Sequence, residues 1–285
     1  MQFSCIMTDL SIIIVNWNTR ELLRRCLASI YRHSAGLEFA VWVVDNASTD
    51  GSVEMAAREF PQARLIRNQE NVGFSRANNQ ALRQAEGRYL LLLNSDTVLQ
   101  ENALRQMVAF MDAHPTVGIA GSRLLNADGT WQPSCDLFPR KPLAMLRDKL
   151  ADALLPGTRV KWADRMRQWN ARDNFPVDYV IGAVLMIRRE TFAQIGGLDE
   201  RFFMYAEDID WCYRAARAGW ATHYVGTAAI VHLNRGSSEP TPQQAERLRR
   251  LRDQSLLAWY GKHYGRLNAW LMRLVFLLKR RKFLG

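Results

Sequence analysis

Asn94, Ser95 and Asp96 follow directly on four consecutive leucines, Leu90 to Leu93. A short apolar run bounded by polar residues suits a strand buried on both faces of a parallel sheet. Such a strand delivers the residues after it to the carboxyl edge of the sheet, where open α/β folds bind ligands. A carboxylate placed there is costly unless something pairs with it. Three further stretches carry groups of the same kind. VVDNASTDGS (43–52) ends an apolar run in Asp45 and continues into a polar turn. NVGFSRANNQAL (71–82) puts Gly73 at a tight turn, with polar residues in the helical turn behind it. FFMYAEDIDWCYRAARAGW (202–220) gathers Glu207, Asp208 and Asp210 among aromatics, and His232 lies on an apolar segment further on. Carboxylates grouped with a histidine make a hard-cation site when a phosphorylated ligand completes the shell. Each group also has a plainer reading. Asp45 and Asn46 suit an Asx turn, Glu207 and Asp208 suit the first turn of a helix, and a lone histidine on an apolar strand is ordinarily a satisfied core residue.

The elements that must hold these groups are legible from periodicity. SIIIVN (11–16), FAVWVVD (39–45), ARLIR (63–67) and RYLLLLN (88–94) have the character of strands, and VGIAGSRLL (117–125) adds another. TRELLRRCLASIYRH, DGSVEMAAREF and SRANNQALRQAEG between them have helical spacing, the first two opening with Thr19 and Asp50 as caps. Strands alternating with helices of this length imply right-handed βαβ units and a parallel sheet. The tract 130–175 breaks the pattern: WQPSCDLFPRKP is rich in turn signals, and 143–171 suggests one or two loosely amphipathic helices. Beyond it, DYVIGAVLMIRR (178–189) has the composition of one buried strand, a helix starts near Glu190, another ends near Gly219, and ATHYVGTAAIVHL supplies one or two strands.

The charge is unevenly distributed. The formal net charge is +10, and residues 247–285 carry all of it, with 11 Lys or Arg against the single acid Asp253. The neutral remainder argues against a general nucleic-acid surface and for a local task of the C-terminus. That tail mixes its basic residues with Trp259, Tyr260, Trp270, Leu271, Phe276 and Leu277, which suits a helix lying in a membrane interface. No stretch approaches the length of a spanning helix. Cys5, Cys26, Cys135 and Cys212 are widely spaced and are expected to be reduced thiols in a cytosolic protein. No GxGxxG follows the first strand, which speaks against a dinucleotide oxidoreductase.

Taken in order, SIIIVNWN, VDNASTDGS, N-x-GF-x-x-x-N-N, LLLNSDT, GAxLMIRR, IGGLDExFFMYAEDIDWCYR and VxHxxxxS span roughly residues 10–238. This set resembles the family 2 glycosyltransferases of GT-A fold, particularly the rhamnosyltransferase-like branch. The resemblance implies an α/β nucleotide-diphospho-sugar transferase domain over 1–240, its mostly parallel central sheet flanked by helices. Residues 130–175 would be a variable basic insertion, and 241–285 a basic amphipathic helical extension. It implies roles as well. Asn16, Asp45, Asn71 and Gly73 would bind the nucleotide, with Asn94, Ser95 and Asp96 completing the nucleotide-sugar site. Asp96 and His232 would hold a divalent cation, Mg²⁺ or Mn²⁺, against the donor diphosphate. Asp208 would be the catalytic base of a single inverting displacement, with Glu207 and Trp211 at the acceptor. Burial among aromatics would raise the pKa of Asp208 and a helix N-terminus would lower it; sequence leaves the balance open. One position departs from the family pattern: the first acid of its DxD motif is Asn94 here.

The expected donor is dTDP-L-rhamnose, with UDP-hexoses or UDP-galactofuranose as alternatives. The expected acceptor is a hydroxyl of a lipid-linked or polysaccharide glycan in cell-envelope synthesis, met at the inner face of the plasma membrane. The Asn94 departure also admits a non-catalytic nucleotide-sugar-binding protein. No nucleic-acid partner is expected.

Overall fold

The leucine run is the centre of the sheet. In the computed structural model, which describes residues 8–154, 172–233 and 242–281, every residue of Tyr89–Leu93 is at most 1% exposed. Burial of each leucine side chain contributes roughly 1.5–3 kcal/mol, which sets a central strand's position against the pull of the polar residues after it.

In chain order the first half comprises β1 (Leu10–Asn16), α1 (Arg20–His33), β2 (Phe39–Asp45), α2 (Ser52–Glu59), β3 (Arg64–Arg67), α3 (Phe74–Leu82), β4 (Tyr89–Leu93), β5 (Thr97–Leu99), α4 (Ala103–Ala113) and β6 (Val117–Leu125). There follow β7 (Trp131–Gln132), β8 (Cys135–Asp136), α5 (Pro142–Leu154), β9 (Asn174–Val177), β10 (Tyr179–Val180) and β11 (Val184–Arg188). The chain continues with α6 (Arg189–Ile195), α7 (Glu207–Arg217), β12 (Ala221–His232), α8 (Pro242–Tyr264) and α9 (Arg266–Arg281). The main sheet has the order β3-β2-β1-β4-β11-β6-β12-β5. Six of these eight strands run the same way, while β11 and β5 oppose their neighbours. The mostly parallel sheet is therefore as expected.

Helices cover both faces. Leu23, Cys26, Leu27 and Ile30 of α1 pack with Met107 and Met111 of α4 on one side of the sheet. Ala77, Ala81 and Leu82 of α3 pack with Trp211, Cys212 and Ala215 of α7 on the other. Burial pushes the thiols of Cys26, Cys135 and Cys212 up to about 12, so they stay protonated and behave as small apolar groups.

The expected single strand over 178–189 is instead β10 and β11, interrupted at 181–183. Ile181 donates its N–H to the carbonyl of Ser134, and Gly182 donates to a carboxylate oxygen of Asp208, so both leave the ladder. β11 lies antiparallel to β4, pairing Val184 with Leu93. Its first residues consequently stand at the carboxyl end of β4.

The tail is bound to the body through a buried charge cluster. Asp210 of α7 is fully buried and receives Lys262 Nζ at 2.5 Å, His263 Nε2 at 2.7 Å and Arg214 Nε at 2.8 Å. Trp259 and Tyr260 are buried against Phe202, Ala206 and Met272, so they do not belong to the lipid-facing surface expected of them. Leu267, Trp270, Leu274, Leu277 and Leu278 of α9 are the exposed ones, joined by Leu143 and Leu146 of α5. Among the described residues no helix is long and apolar enough to cross a membrane. The helices expected over 143–171 are met by α5, and the rest of that tract lies outside the described residues.

Candidate functional site

Parallel strands end together, so β1 and β2 bring Asn16 and Asp45 side by side. Asn16 Nδ2 donates to Asp45 Oδ1 at 2.9 Å and to Ser48 Oγ at 3.0 Å, and the Ser48 N–H donates to Asp45 Oδ2 at 2.8 Å. The carboxylate is 4% exposed, and these donors satisfy both of its oxygens. Thr19 does not cap α1 with its side chain: its hydroxyl donates to Asn16 Oδ1 at 2.6 Å and lies 2.9 Å from Ser95 Oγ. Asp50 takes over the capping, accepting the Arg20 N–H at 2.8 Å. Thr19 is thereby released to tie the first strand end to the turn after β4.

Asn71 Oδ1 accepts the Gly73 N–H at 3.0 Å and Asn46 Nδ2 at 3.3 Å. Gly73 has φ +86°, and a Cβ there would stand 2.6 Å from Phe203 Cδ2 and 2.8 Å from the Phe203 carbonyl. Only glycine meets both requirements. The next residue, Phe74, donates its N–H to that carbonyl at 2.7 Å, locking the loop over the segment that leads to the acids of α7.

At the ends of β4 and β12, His232 Nε2 faces Asp96 Oδ1 across 3.2 Å. Its other ring nitrogen, Nδ1, lies 2.8 Å from Gln132 Oε1. An amide oxygen only accepts, so Nδ1 donates to Gln132 and leaves Nε2 to meet the carboxylate. At that distance the nitrogen and the carboxylate oxygen share either a proton or a cation. The separation is close to the ~3 Å between adjacent ligands of an octahedral cation with bonds of ~2.1 Å. The Asn94 amide nitrogen lies 3.5 Å from the same Nε2. Among the described residues no three or more His, Cys, Asp or Glu side chains gather as a metal cage. The residues present thus fit a cation whose remaining ligands come from a substrate and water.

The third group sits where Tyr205 (φ +69°) and Ala206 (φ +65°) turn the chain into α7. Two successive non-glycine residues in the left-handed region are strained, a feature that concentrates at functional sites. Asp208 is half-buried; its Oδ2 accepts the Gly182 N–H at 3.0 Å and its Oδ1 the Ile209 N–H at 2.8 Å. Burial raises its pKa against the lowering by those backbone donors, which resolves the balance that sequence left open. Glu207 is 6% exposed with Oε2 unpartnered, and burial followed by the charge of Asp208 lifts its carboxyl well above the usual range. Trp211 needs correcting as an acceptor contact. It is fully buried, and its Nε1 donates to the Gly196 carbonyl at 2.9 Å, because one turn along α7 from Asp208 the helix faces the core.

One short segment joins the two acidic groups. Gly182 donates to Asp208, while the adjacent Ala183 carbonyl accepts the Asn94 N–H at 3.0 Å. Hydrogen bonds thus link the ends of β1, β2 and β4 to the start of α7 along the carboxyl rim.

The sequence pattern of glycosyl transferase family 2 matches residues 11–196, more than half of the chain. The chain is a family 2 glycosyltransferase. The transferase is 29% identical over 252 residues to an N-acetylglucosaminyl-diphospho-decaprenol L-rhamnosyltransferase of Mycobacterium tuberculosis, covering 83% of this chain and 80% of that protein. It is 27% identical over 167 residues to the rhamnosyltransferase WbbL of Escherichia coli, covering 56% of this chain and 60% of that one. Among solved structures it resembles a mannosyltransferase of Pyrobaculum calidifontis in complex with GDP-Man and Mn²⁺. The TM-score is 0.61 at 21% identity, over 92% of this chain and 66% of the other. The fold is GT-A, as the motifs implied.

Sequence reasoning missed Thr19 and Ser48 as members of the hydrogen-bonded rim, Gly182 as the bridge, and Gln132 as the residue that orients His232. Thr19 and Ser48 stand inside the recognised motifs, but Gln132 comes from a two-residue strand in a turn-rich tract and carries no local signal.

The raised carboxyl of Glu207 gives a stability prediction. Its folded pKa exceeds the unfolded value of about 4.3, so stability falls as pH rises from there through the folded value. Glu207→Gln removes that loss. It is expected to raise the melting temperature at pH 8, by about 2–4 °C for each kcal/mol recovered, with the gain vanishing toward pH 4. Melting curves across that range check it, and a lower melting temperature at pH 8 contradicts it.

Proposed function

We propose that this transferase moves L-rhamnose from dTDP-L-rhamnose, with inversion, to a sugar hydroxyl of a lipid-diphosphate-linked acceptor in cell-envelope glycan synthesis. The observation that carries the reading is the Gly182–Ala183 bridge, which ties Asn94, at the start of the turn that carries Asp96, to the carboxylate of Asp208, whose pKa is raised. The donor sugar and the acceptor type are supported by the name of the mycobacterial relative, and the nucleotide by the motif resemblance.

In this reading Asn16, Asp45, Asn71 and Gly73 hold the nucleoside, and Asn94, Ser95 and Asp96 flank the diphosphate. Asp96 and His232 would hold Mg²⁺ or Mn²⁺, which when bound neutralises the charge that develops on the departing diphosphate. Asp208 accepts the proton of the acceptor hydroxyl as its oxygen bonds to the anomeric carbon. The anomeric carbon–oxygen bond to the diphosphate breaks, and its electron pair stays with the nucleoside diphosphate. Both Asp208 oxygens already accept a backbone N–H, which aims their remaining lone pairs. A raised pKa suits a base working near neutrality. Glu207, with one oxygen unpartnered, stands beside the acceptor.

Residues 1–240 form the transferase domain in this proposal, with 130–175 as its basic insertion, and 241–285 form the basic extension. Leu267, Trp270, Leu274 and Leu277 recur at helical spacing along one exposed side of α9, with Arg266 and Arg273 also exposed. That pattern supports peripheral attachment to an anionic membrane surface, on the cytoplasmic side where a lipid-linked acceptor would be met.

Asp208→Asn is expected to lower transfer by at least about 10³-fold while leaving donor affinity within about twofold. Near-normal turnover would remove Asp208 from its role. Leu274→Glu with Leu277→Glu is expected to abolish co-sedimentation with vesicles containing phosphatidylglycerol, without lowering the melting temperature. Unchanged sedimentation would remove the membrane contact.

A further inference from the structure

A concavity opens beside Phe203, the residue that crowds Gly73. It is a cleft of about 730 Å³ between Phe203 and the first turns of α8, lined by Gln243, Glu246, Arg247, Arg250, Leu251 and Gln254. That volume is within the range of small-molecule sites. Arg247 forms no ion pair among the described residues. Arg250 spends only its Nε on Glu246, at 2.8 Å, a carboxylate it shares with Arg249. The wall therefore presents two guanidinium groups with donors to spare, beside an aromatic ring that is 43% exposed.

The cleft is fixed relative to the chemistry. Ser255 Oγ of α8 donates to the Met204 carbonyl at 2.8 Å, in the short segment between Phe203 and the Glu207–Asp208 pair. The buried contacts of Asp210 with Lys262 and His263 hold the other end of α8. Arginines here are poorly placed for a leaving diphosphate, because in a single displacement the base and the leaving group lie on opposite sides of the reacting carbon. Cations on the side of the base meet the incoming molecule.

We infer that this cleft is an anion subsite for the acceptor, with Arg247 and Arg250 binding its phosphate or diphosphate and Phe203 packing against the sugar between that group and Asp208. The inference rests on the proposed lipid-diphosphate acceptor and adds the residues that recognise it. Guanidinium forks suit phosphate oxygens, and charge-assisted hydrogen bonds of this kind are stronger than neutral ones.

The test uses the full chain with saturating dTDP and Mn²⁺, so that the donor side is filled, and titrates farnesyl diphosphate calorimetrically. The Arg247→Ala/Arg250→Ala variant is expected to bind farnesyl diphosphate at least about tenfold more weakly, with dTDP affinity and melting temperature unchanged. Equal affinity in the variant, or equal weakening of both ligands, overturns the subsite. Loss of binding to phosphatidylglycerol vesicles with farnesyl diphosphate binding retained also overturns it, and assigns the arginines to lipid headgroups. Arginine-dependent farnesyl diphosphate binding in a protein that does not bind dTDP supports the subsite and counts against the donor reading alone.

Discussion

His232 Nε2 and Asp96 Oδ1 face each other across 3.2 Å with a proton fixed on the far side of the ring by Gln132, and the rest of the site depends on how that confrontation is resolved. Both side chains are at least nine-tenths buried, so water does little to screen them. In the proposed reading a cation would sit between them, with a diphosphate supplying further ligands. The same burial acts differently on Asp208 and Glu207, which have no cation among the described residues and respond by holding their protons more tightly. One rim therefore carries a His–Asp pair at one end and carboxyls of raised pKa at the other.

The sheet makes this arrangement possible through a single reversal. β1, β2 and β4 run in parallel and deliver Asn16, Asp45 and Asn94 to one edge. Had β11 also been parallel, its beginning would lie at the opposite edge. Because it pairs antiparallel with β4, Gly182 and Ala183 arrive at the carboxyl rim and bond to Asp208 and Asn94 in turn. A Cβ at Gly182 would stand 3.7–3.8 Å from Phe74, Asp208 and Glu207, ordinary contact distances that show how closely this segment passes both acids.

The parallel half of the fold was readable because its strands are buried on both faces, so LSIIIVN, FAVWVVD and YLLLL announce themselves by composition. The acids at their ends were readable for the same reason, as polar residues that interrupt such runs. The reversal at 181–183 was not, since YVIGAVLMIR is apolar on either side of the break and only long-range partners create it. Trp211 was misassigned because aromatic neighbours in sequence do not specify which side of a helix they occupy. Trp259 and Tyr260 went the same way: basic and aromatic residues on one tail matched a membrane helix, whereas the fully buried Asp210 draws Lys262 and His263 inward and carries the aromatics with them. The charges of the tail thus divide between an internal anchor and an outward face.

A cation held between Asp96 and His232 is tested most simply by the shift in melting temperature that dTDP produces with and without Mn²⁺, in the native protein and in His232→Ala. A ligand selective for the folded state raises apparent stability in proportion to the logarithm of its occupancy ratio, and a metal that bridges ligand and protein adds to that shift. The expected outcome is stabilisation by dTDP that grows when Mn²⁺ is present, with that increment lost in His232→Ala. A dTDP shift in the native protein that is the same with and without the metal would contradict the bridging role of the pair.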